Sequence, residues 1–494
     1  MLTAAIFIPL AGALALVATR DWTARAARAF AVAVAAVPLV LLIVAWLRFD
    51  PGAGELFQLV EEVEWIPTLG VAYRVGVDGI ALSLASLTAL LFVAAVAFPA
   101  EHQGRPRQYY AWFLFLEMAS LGLFLALDLL VFYVFFDLSL VGMYFLIGLW
   151  GHGDSRRAAL KFFVYTLAGS LSILLAILGL VLATDPMTFD MAALIEQQPL
   201  AGTGARAGFA LLGFLLGFGI KTPVVPFHTW LPAAHVEAPA PASTILAGVL
   251  LKMGTFGIIR IPLAMLRESF AEYAFFIGVV GVVSILYGAL VALGQDNLKR
   301  RIAYTSVNHM GYTILGIAAA GGLLTGSEQA RQLALTGATV EMVAHGLITG
   351  ALFLITGSFW QRARDYEMDH YGGLARQVPM LTGASVLASF ASLGLPGLAG
   401  FVAEFQIFVG TFAVFPWLAA IGLLGILITA ALFLQLLQRV FFGELPSRWS
   451  DLSDLAGSEA ATLGVLLALV VLIGVFPRWL LDVIASGSRL LLGS

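Results

Sequence analysis

The sequence predicts an all-α integral membrane protein with about fourteen transmembrane helices, and three observations support this class. Of its 494 residues, 61% are hydrophobic and only 11% are charged, whereas soluble domains carry about 25% charged residues. Apolar segments of about 20 residues, the length that crosses a bilayer, recur along the whole chain. Two of these segments are interrupted by proline or glycine beside an ionisable residue. Lipid is therefore the predicted solvent for most of the surface.

The composition also excludes several classes of function. The net charge of −4 argues against a nucleic-acid partner. The chain contains no cysteine, which excludes disulfides, thiolate metal sites and iron–sulfur clusters bound through cysteine. It has neither a glycine-rich dinucleotide motif after a strand nor a haem-attachment motif. The first nineteen residues carry no Lys or Arg, so we interpret them as a retained span rather than a secretory signal.

The predicted spans follow one another through mostly short connections. They begin near residues 2, 28, 78, 109, 129, 160, 206, 240, 272, 301, 333, 380, 416 and 459. Longer connections occur at about 49–77 and 185–205. Spans 4 and 5 nearly touch, with Asp128 at the turn between them.

The orientation is predicted from the Lys and Arg residues in alternate loops. One side collects sixteen of them, namely Arg20, Arg25, Arg28, Arg105, Arg107, Arg156, Arg157, Lys161, Lys299, Arg300, Arg301, Arg362, Arg364, Arg376, Arg439 and Arg448. The other side collects eight, namely Arg48, Arg74, Arg206, Arg260, Arg267, Arg331, Arg478 and Arg489. Cytoplasmic loops are rich in Lys and Arg, so both termini are predicted on the outer, periplasmic side of a bacterial-type inner membrane. We interpret one short basic loop as a topology anchor; it contains Asp296, Lys299, Arg300 and Arg301.

Two broken spans indicate an internal repeat. Span 7 is interrupted at KTPVVPFHTWLP and span 12 at LGLPGLAGFVAEF, five spans later. Broken helices at matching positions in two halves point to inverted repeats around a site at the membrane midplane. We therefore predict two five-helix repeats, helices 4–8 in residues 109–264 and helices 9–13 in residues 265–440. Helices 1–3 precede them in residues 1–108, and helix 14 with a tail follows in residues 441–494.

Ionisable side chains lie at mid-depth in six predicted spans. They are Asp137, Lys221, Lys252, His309, His345 and Glu404. A charge at the bilayer centre costs roughly 2.5–3.5 kcal/mol on insertion scales, so such groups should face the bundle interior, pair or meet water. A buried Lys–Asp pair could merely link two helices, and a buried histidine could be a hydrogen-bonded core residue. Six such groups together favour a proton or cation path, because Ser, Thr or Asn would link helices at lower cost.

The predicted chemistry centres on Lys221. Burial disfavours the charged form of a lysine and a nearby carboxylate favours it, so Lys221 could change protonation as its distance from Asp137 changes. Histidine can pass a proton on near neutral pH. The break at residues 222–226 frees backbone carbonyl groups, which a membrane protein tolerates where they line a cavity or meet water. The break is therefore predicted to admit water to Lys221.

Other polar residues carry less weight. His228 and Glu117 are weaker candidates for the path, and Glu117 could lie near a membrane interface. His228, His235 and Glu237 could suggest a metal site, but a proline interrupts their helical spacing and no ligand cluster surrounds them. No metal site is therefore predicted.

The segments that carry these residues resemble a known family. KTPVVPFHTWLPAAHVEAPAPASTILAGVLLKMGTFGIIR (221–260) resembles the signature of the antiporter-like subunits of respiratory complex I and of Mrp-type cation/proton antiporters. Further similar segments are GVDGIALSL (76–84), FYVFFDLSLVGMYFLIGLWG (132–151), DNLKRRIAYTSVNHMGY (296–312), MVAHGLITGALFLITG (342–357) and LPGLAGFVAEF (395–405). The resemblance runs from about residue 76 to 445. The histidines of HTWLPAAH and NHMGY and the length near 500 residues favour the complex I branch.

The resemblance implies fourteen spans, two inverted repeats and broken helices 7 and 12. It implies a chain that translocates protons beside other hydrophobic subunits, with no cofactor of its own and with FMN, iron–sulfur clusters and quinone on partner subunits. Lys221 would be the central lysine of helix 7 and Lys252 the connecting lysine of helix 8. His309 and His345 would be relay groups, and Glu404 the terminal acid.

One position departs from the family pattern, and two function classes stay open. The family usually has glutamate on helix 5 where this chain has Asp137, so the shorter side chain could lengthen the contact with Lys221. The first class is a proton-pumping subunit driven by redox chemistry elsewhere. The second is an Mrp-type antiporter subunit without a redox partner, since the path residues are shared. The mid-membrane charges argue against a third class, a membrane scaffold without transport.

Overall fold

The chain forms a bundle of membrane-crossing helices with one β-hairpin at one end. The computed structural model describes residues 1–19, 22–99, 104–322 and 327–493, and Arg20, counted above for orientation, lies outside them. The helices are α1 (Leu2–Ala18), α2 (Ala24–Arg48), α3 (Gly79–Ala97), α4 (Pro106–Leu125), α5 (Leu129–Trp150), α6 (Ser155–Val181), α7 (Met191–Gln197), α8 (Ala205–Lys221), α9 (Leu231–Glu237), α10 (Ala240–Ile245), α11 (Leu251–Ile258), α12 (Arg267–Leu293), α13 (Leu298–Gly321), α14 (Glu328–Ala363), α15 (Pro379–Ser392), α16 (Ala399–Val414), α17 (Pro416–Phe441), α18 (Gly457–Val475) and α19 (Arg478–Leu492). The strands are β1 (Gln58–Ile66) and β2 (Val71–Val77), and π-helical turns at Leu246–Leu250 and Ile259–Leu263 flank α11.

The predicted spans coincide with helices. Every predicted start lies near a helix start, and the largest offset is five residues, as between predicted residue 160 and Ser155. Within the described residues, nine helices are long and apolar enough to cross a membrane. The other predicted starts fall on α1, α4, α8, α13 and α15, which are shorter, interrupted or more polar. The helical integral-membrane class is therefore confirmed, and the number fourteen stays a prediction.

The long connection before α3 contains a β-hairpin that the sequence analysis did not predict. β1 pairs with β2 in antiparallel fashion, with Glu62 opposite Arg74. The hydrogen bond from Arg74, at 2.6 Å, lowers the pKa of Glu62. Glu61 accepts backbone N–H groups from the start of α1, and Asp128 at the predicted α4–α5 turn accepts one from β2. We call this end of the bundle the hairpin face and the other end the opposite face.

Both predicted helix breaks are present. Span 7 consists of α8, which ends at Lys221, an irregular segment at 222–230, and α9. Span 12 consists of α15, an irregular segment at 393–398, and α16. In the first break, the Trp230 indole N–H donates to the Ile220 carbonyl at 2.9 Å. The Val225 N–H donates to Ser284 Oγ on α12 at 3.0 Å, so a helix of the second half supports the break of the first.

Apart from the short helix α7, the two predicted repeats contain the same order of elements. The first is α4, α5, α6, α8–α9 and α10–α11, and the second is α12, α13, α14, α15–α16 and α17. In each, the broken helix packs closely on the third helix. A Cβ atom at Gly217 on α8 would lie 2.4 Å from the Gly169 carbonyl oxygen on α6, and one at Gly410 on α16 would lie 2.6 Å from the Ala334 nitrogen on α14. Small residues allow this approach, and the repeat boundaries stay a prediction.

The outer surface and the chain ends fit a membrane setting. Large apolar side chains such as Leu47, Leu175 and Trp417 point outward, as expected for contact with lipid or neighbouring subunits. The predicted tail after the last span contains α19, whose Val483 carbonyl packs against Gly79 at the start of α3. Because α1 also begins beside the hairpin, both ends of the described chain lie at the hairpin face. The side of the membrane that this face occupies stays a prediction.

Candidate functional site

Lys221 is buried at the end of α8, directly before the helix break. Only 1% of the surface of Lys221 is exposed. The Nζ atom lies 3.3 Å from Ser139 Oγ and 4.9 Å from the centre of the Phe136 ring. Ser139 Oγ donates to the Phe136 carbonyl at 2.6 Å, which leaves its lone pairs for the ammonium group. Within the described residues, Lys221 therefore contacts a hydroxyl and an aromatic face rather than a carboxylate.

The expected contact between Asp137 and Lys221 is not present. Asp137 is half-buried, and its carboxylate accepts a hydrogen bond from Ser170 on α6. The reason is the helical rotation of about 100° per residue, which places positions 137 and 139 on nearly opposite sides of α5. Because Ser139 faces Lys221, Asp137 faces α6. The length of the aspartate side chain is thus not the main cause, and an influence of Asp137 on Lys221 over a longer distance stays a prediction.

Lys252 lies directly after a π-helical turn and contacts a histidine of α14. Its Nζ atom donates to the Ala247 carbonyl at 2.5 Å and lies 2.6 Å from His345 Nδ1. A protonated lysine only donates, so the His345 ring proton then resides on Nε2. That nitrogen has no hydrogen-bond partner within the described residues. The π turn at Leu246–Leu250 supplies the free carbonyl, and such turns are frequent at functional sites.

A hydrogen-bonded cluster lies beyond His345, beside the second break. The His345 and His309 ring centres are 5.4 Å apart. His309 Nδ1 lies 3.0 Å from Glu341 Oε1, and Nε2 lies 2.9 Å from Ser392 Oγ at the end of α15. One side-chain nitrogen or oxygen atom from each of His309, Glu341 and Glu404 lies within 4.8 Å of those of the other two. Every member is buried, so the cluster is a compact set of proton-binding groups inside the bundle.

The second break is shaped around Glu404. Gly394 has φ +75°, and a Cβ atom there would lie 2.3 Å from Glu404 Oε2. Both the left-handed backbone and the close approach require glycine. Glu404 also lines a cavity of about 520 Å³ whose other walls are mainly aromatic and aliphatic, including Phe401 and Phe405. The buried ionisable groups Lys252, His345, His309, Glu341 and Glu404 therefore form a row, and Glu404 lies at one end of it.

Glu341 and Ser139 were missed by the sequence analysis. Glu341 precedes His345 by four residues on α14, a spacing that places both side chains on one helix face. This signal could have identified it. Ser139 is one of several buried hydroxyl residues, and nothing in its sequence surroundings distinguishes it.

A gap separates Lys221 from Lys252. The two helices meet where a Cβ atom at Gly254 would lie 2.3 Å from Thr222 Oγ1. That hydroxyl is buried and has no hydrogen-bond partner within the described residues. No hydrogen bond joins the two lysines there, so transfer between them requires water, which buried polar atoms without partners commonly bind.

The weaker candidates lie outside this row. Glu117 is completely buried in the middle of α4, and neither carboxylate oxygen has a hydrogen-bond partner within the described residues. Its position in the middle of the helix does not favour the alternative that it lies near an interface. His228 is 4% exposed and packs edge-on against Tyr287 at 5.0 Å between ring centres. Neither residue contacts Lys221 or Lys252.

The basic loop is only partly exposed at the surface. Asp296 and Arg300 are exposed, but Lys299 and Arg301 are completely buried. Lys299 donates to the carbonyl groups of Val236 and Ala238 at the end of α9. Arg301 donates to carbonyl groups at the end of α12. These two residues cap helix C-termini, where cations are favourable, and their role as a topology anchor stays a prediction.

One group of residues offers the donor atoms of a metal site. Within the described residues it consists of His309, Glu341 and Glu404. Both nitrogens of His309 already take part in hydrogen bonds, whereas a zinc ligand needs a free nitrogen about 2.0–2.1 Å from the ion. The arrangement favours a hydrogen-bonded cluster. His228, His235 and Glu237 do not form such a group.

Comparisons with known proteins show which membrane subunits this chain is similar to. Residues 126–429, more than half of the chain, match the family described as NADH:quinone oxidoreductase/Mrp antiporter, transmembrane. The NADH-quinone oxidoreductase subunit M of Rhodobacter capsulatus is 37% identical over 98% of this chain and 94% of its own length. The F(420)H(2) dehydrogenase subunit M of Methanosarcina mazei is 39% identical over 91% and 90%. The NAD(P)H-quinone oxidoreductase chain 4 2 of Thermosynechococcus vestitus is 38% identical over 97% and 89%.

Solved structures show the same similarity. A chain of respiratory complex I from Thermus thermophilus with bound NADH has a TM-score of 0.88 and 31% identity, covering 99% of this chain and 100% of that one. A chain of the Mrp complex from Dietzia sp. has a TM-score of 0.84 at 22% identity, covering 100% of this chain and 52% of that one. The second similarity concerns the fold alone.

Proposed function

Because the chain belongs to the NADH:quinone oxidoreductase/Mrp antiporter family of transmembrane subunits, we propose that it is the proton-translocating subunit M of a complex I-type oxidoreductase. One observation carries this proposal. A buried row of ionisable groups runs from Lys252 through His345 and His309 to Glu341 and Glu404, ending at the second helix break. The similarity to Rhodobacter subunit M and to the Thermus complex I chain supports the assignment.

The proposed route begins at the first break. Lys221 takes up a proton through water at residues 222–230 and passes it through bound water to Lys252. Lys252 Nζ donates to His345 Nδ1. Nε2 of that ring, which has no hydrogen-bond partner within the described residues, releases its proton to bound water that carries it to the cluster at His309. The proton then reaches the Glu341 and Glu404 carboxylates. Distances of 2.6 Å at Lys252 and 3.0 Å at His309 are within hydrogen-bond range for such transfers.

In this proposal the redox chemistry takes place on partner subunits. FMN, iron–sulfur clusters and quinone would be bound there, and the absence of cysteine in this chain supports that division. The relatives also support it. Their names specify different electron donors, NAD(P)H, F(420)H(2) and NADH, yet their identities to this chain are similar at 38%, 39% and 37%. The shared sequence is therefore best explained by proton transfer rather than by donor binding.

The proposal includes partners and an orientation. The proposed route begins at Lys221 beside α5, which also carries the half-buried Asp137, and it ends at Glu404, which opens to an apolar cavity. Neighbouring antiporter-like subunits would continue the route at both ends. The opposite face, rich in Lys and Arg, would be cytoplasmic, and the hairpin face periplasmic. The membrane would be a bacterial inner membrane.

Purification from native membranes tests the proposal. The chain should copurify with other hydrophobic subunits, and vesicles should take up protons only while NADH reduces quinone. The alternative, an Mrp-type antiporter subunit, predicts Na⁺/H⁺ exchange without any electron donor. Exchange of that kind, or proton transport by the isolated chain, would contradict the proposal.

A further inference from the structure

A buried ion pair that the proposed route does not use lies near the hairpin face. Arg260 Nη1 is 2.8 Å from Asp78 Oδ2, and the side chains are 2% and 1% exposed. Arg260 belongs to the second π-helical turn, and Asp78 caps α3 by accepting the Ala81 N–H at 2.7 Å. Buried ion pairs lose much solvation and contribute uncertainly to stability. The position of this pair therefore suggests a role other than stability.

Two aromatic rings enclose the guanidinium group. The Arg260 Cζ atom lies 5.0 Å from the centre of the Phe256 ring and 4.8 Å from that of Phe57. Phe256 is completely buried and packs edge-on against Phe124, with ring centres 5.3 Å apart. Cation–π contacts of this kind are strongest when desolvated, so the charge of Arg260 is held in place.

These groups lie on the same side of the helix as Lys252. Lys252, Phe256 and Arg260 follow one another at intervals of four residues, which places their side chains on one face. At 1.5 Å per residue, Arg260 lies about 12 Å beyond Lys252 along the helix, towards the hairpin face. His345, the proposed next carrier, lies to the side on α14. Phe256 and Arg260 thus occupy the direct way from Lys252 to the hairpin face.

We propose that Arg260 is an electrostatic barrier that prevents protons on Lys252 from leaving directly at the hairpin face, so that they pass to His345. The inference rests on the proposed route through Lys252. A guanidinium group keeps its charge and has no acceptor, so it repels an approaching proton and cannot relay it. Fixed arginines exclude protons and cations from membrane pores in the same way. Phe57 and Phe256 are positioning residues for this charge.

The test measures passive proton leak in the whole complex, reconstituted into liposomes with a trapped pH dye and no electron donor. Arg260→Gln removes the charge and should raise the leak rate at least about tenfold, equivalent to a barrier lowered by about 1.4 kcal/mol. Asp78→Asn keeps the positive charge, and asparagine also caps helices, so its leak should equal that of the unmodified complex. Absence of leak in Arg260→Gln overturns the proposal. A leak that is raised equally in Arg260→Gln and Asp78→Asn also overturns the proposal, because it shows that the ion pair acts only by supporting the structure.

Three further variants complete the test. If Arg260→Gln does not assemble, the double variant with Asp78→Asn replaces it, because it leaves no unpaired buried charge. Its leak rate should rise as much as that predicted for Arg260→Gln. Arg362→Gln disrupts the ion pair with Glu459 at 2.7 Å, at the opposite face, and should not leak. Adding Lys252→Met to Arg260→Gln should abolish the leak. A leak that persists would overturn the proposal that Arg260 blocks protons coming from Lys252. Normal pumping by Lys252→Met alone would instead contradict the proposed function.

Discussion

The two helix breaks carry ionisable groups of opposite type in very different surroundings. At the first break, Lys221 contacts the single hydroxyl of Ser139 and an aromatic ring. At the second, Glu404 lies in a cluster with His309 and Glu341. Apart from the short helix α7, the order of elements is the same in both halves. Within the described residues Lys221 contacts no other titratable side chain, whereas His309, Glu341 and Glu404 lie together.

This difference has a functional consequence. A proton at the first break has one carrier, so its position depends on one side chain. At the second break the proton can be shared, because interacting groups titrate as a unit rather than individually. Single substitutions should therefore have larger effects at the first break than at the second.

The largest expected effect is that of Lys221→Met. It should lower NADH-driven proton uptake at least about a hundredfold, the lower range for a positioned proton-transfer group. Uptake and quinone reduction are measured in membrane vesicles, with assembly checked on native gels. Lys161→Met is the matched control, because Lys161 is exposed and donates to the Thr229 carbonyl of the same irregular segment at 2.7 Å. An equal loss in both variants would show that the segment, not the titratable group, matters.

Glu404→Gln should have a smaller effect, about tenfold, corresponding to about 1.4 kcal/mol, because Glu341 remains. Glu404→Asp should be milder still, since the carboxylate is retained. Adding Glu341→Gln to Glu404→Gln should lower proton uptake to the level of Lys221→Met. The same vesicle assay tests this, and full activity in the double variant would remove the cluster from the route.

Ser139→Ala tests the surroundings of Lys221. The loss of one hydrogen bond of about 1 kcal/mol should lower proton uptake by about fivefold.

Asp137→Glu should be tolerated, because a carboxylate can keep Ser170 as its partner. If Asp137→Asn reduces uptake more than Ser139→Ala does, the distant carboxylate controls Lys221 more strongly than the hydroxyl in contact with it.

His228→Gln should have the smallest effect. His228 packs against Tyr287 and Tyr304 rather than in the row, so proton uptake per quinone reduced should be unchanged. A clear loss in an assembled complex would place His228 on an entry path to Lys221 and would weaken the view of Lys221 as an isolated group.

The sequence alone determined the class of the protein, its two breaks and most of the row. Composition is decisive because so few charged residues cannot cover a soluble fold. Lys221, Lys252 and Glu404 were recognisable because a charge within an apolar span is costly and therefore informative. The breaks were recognisable because proline and glycine interrupt helices locally, whatever the surrounding fold.

Only the tertiary structure decided which way the side chains face. The rotation of α5 turns Asp137 towards Ser170 and Ser139 towards Lys221. Packing of α13, α14 and α16 brings Glu341 into one cluster with His309, 32 residues before it, and with Glu404 on α16. Burial of Lys299 against the end of α9 likewise depends on a partner helix. Sequence patterns give the depth of a residue in the membrane, whereas its direction depends on how each helix is rotated against its neighbours.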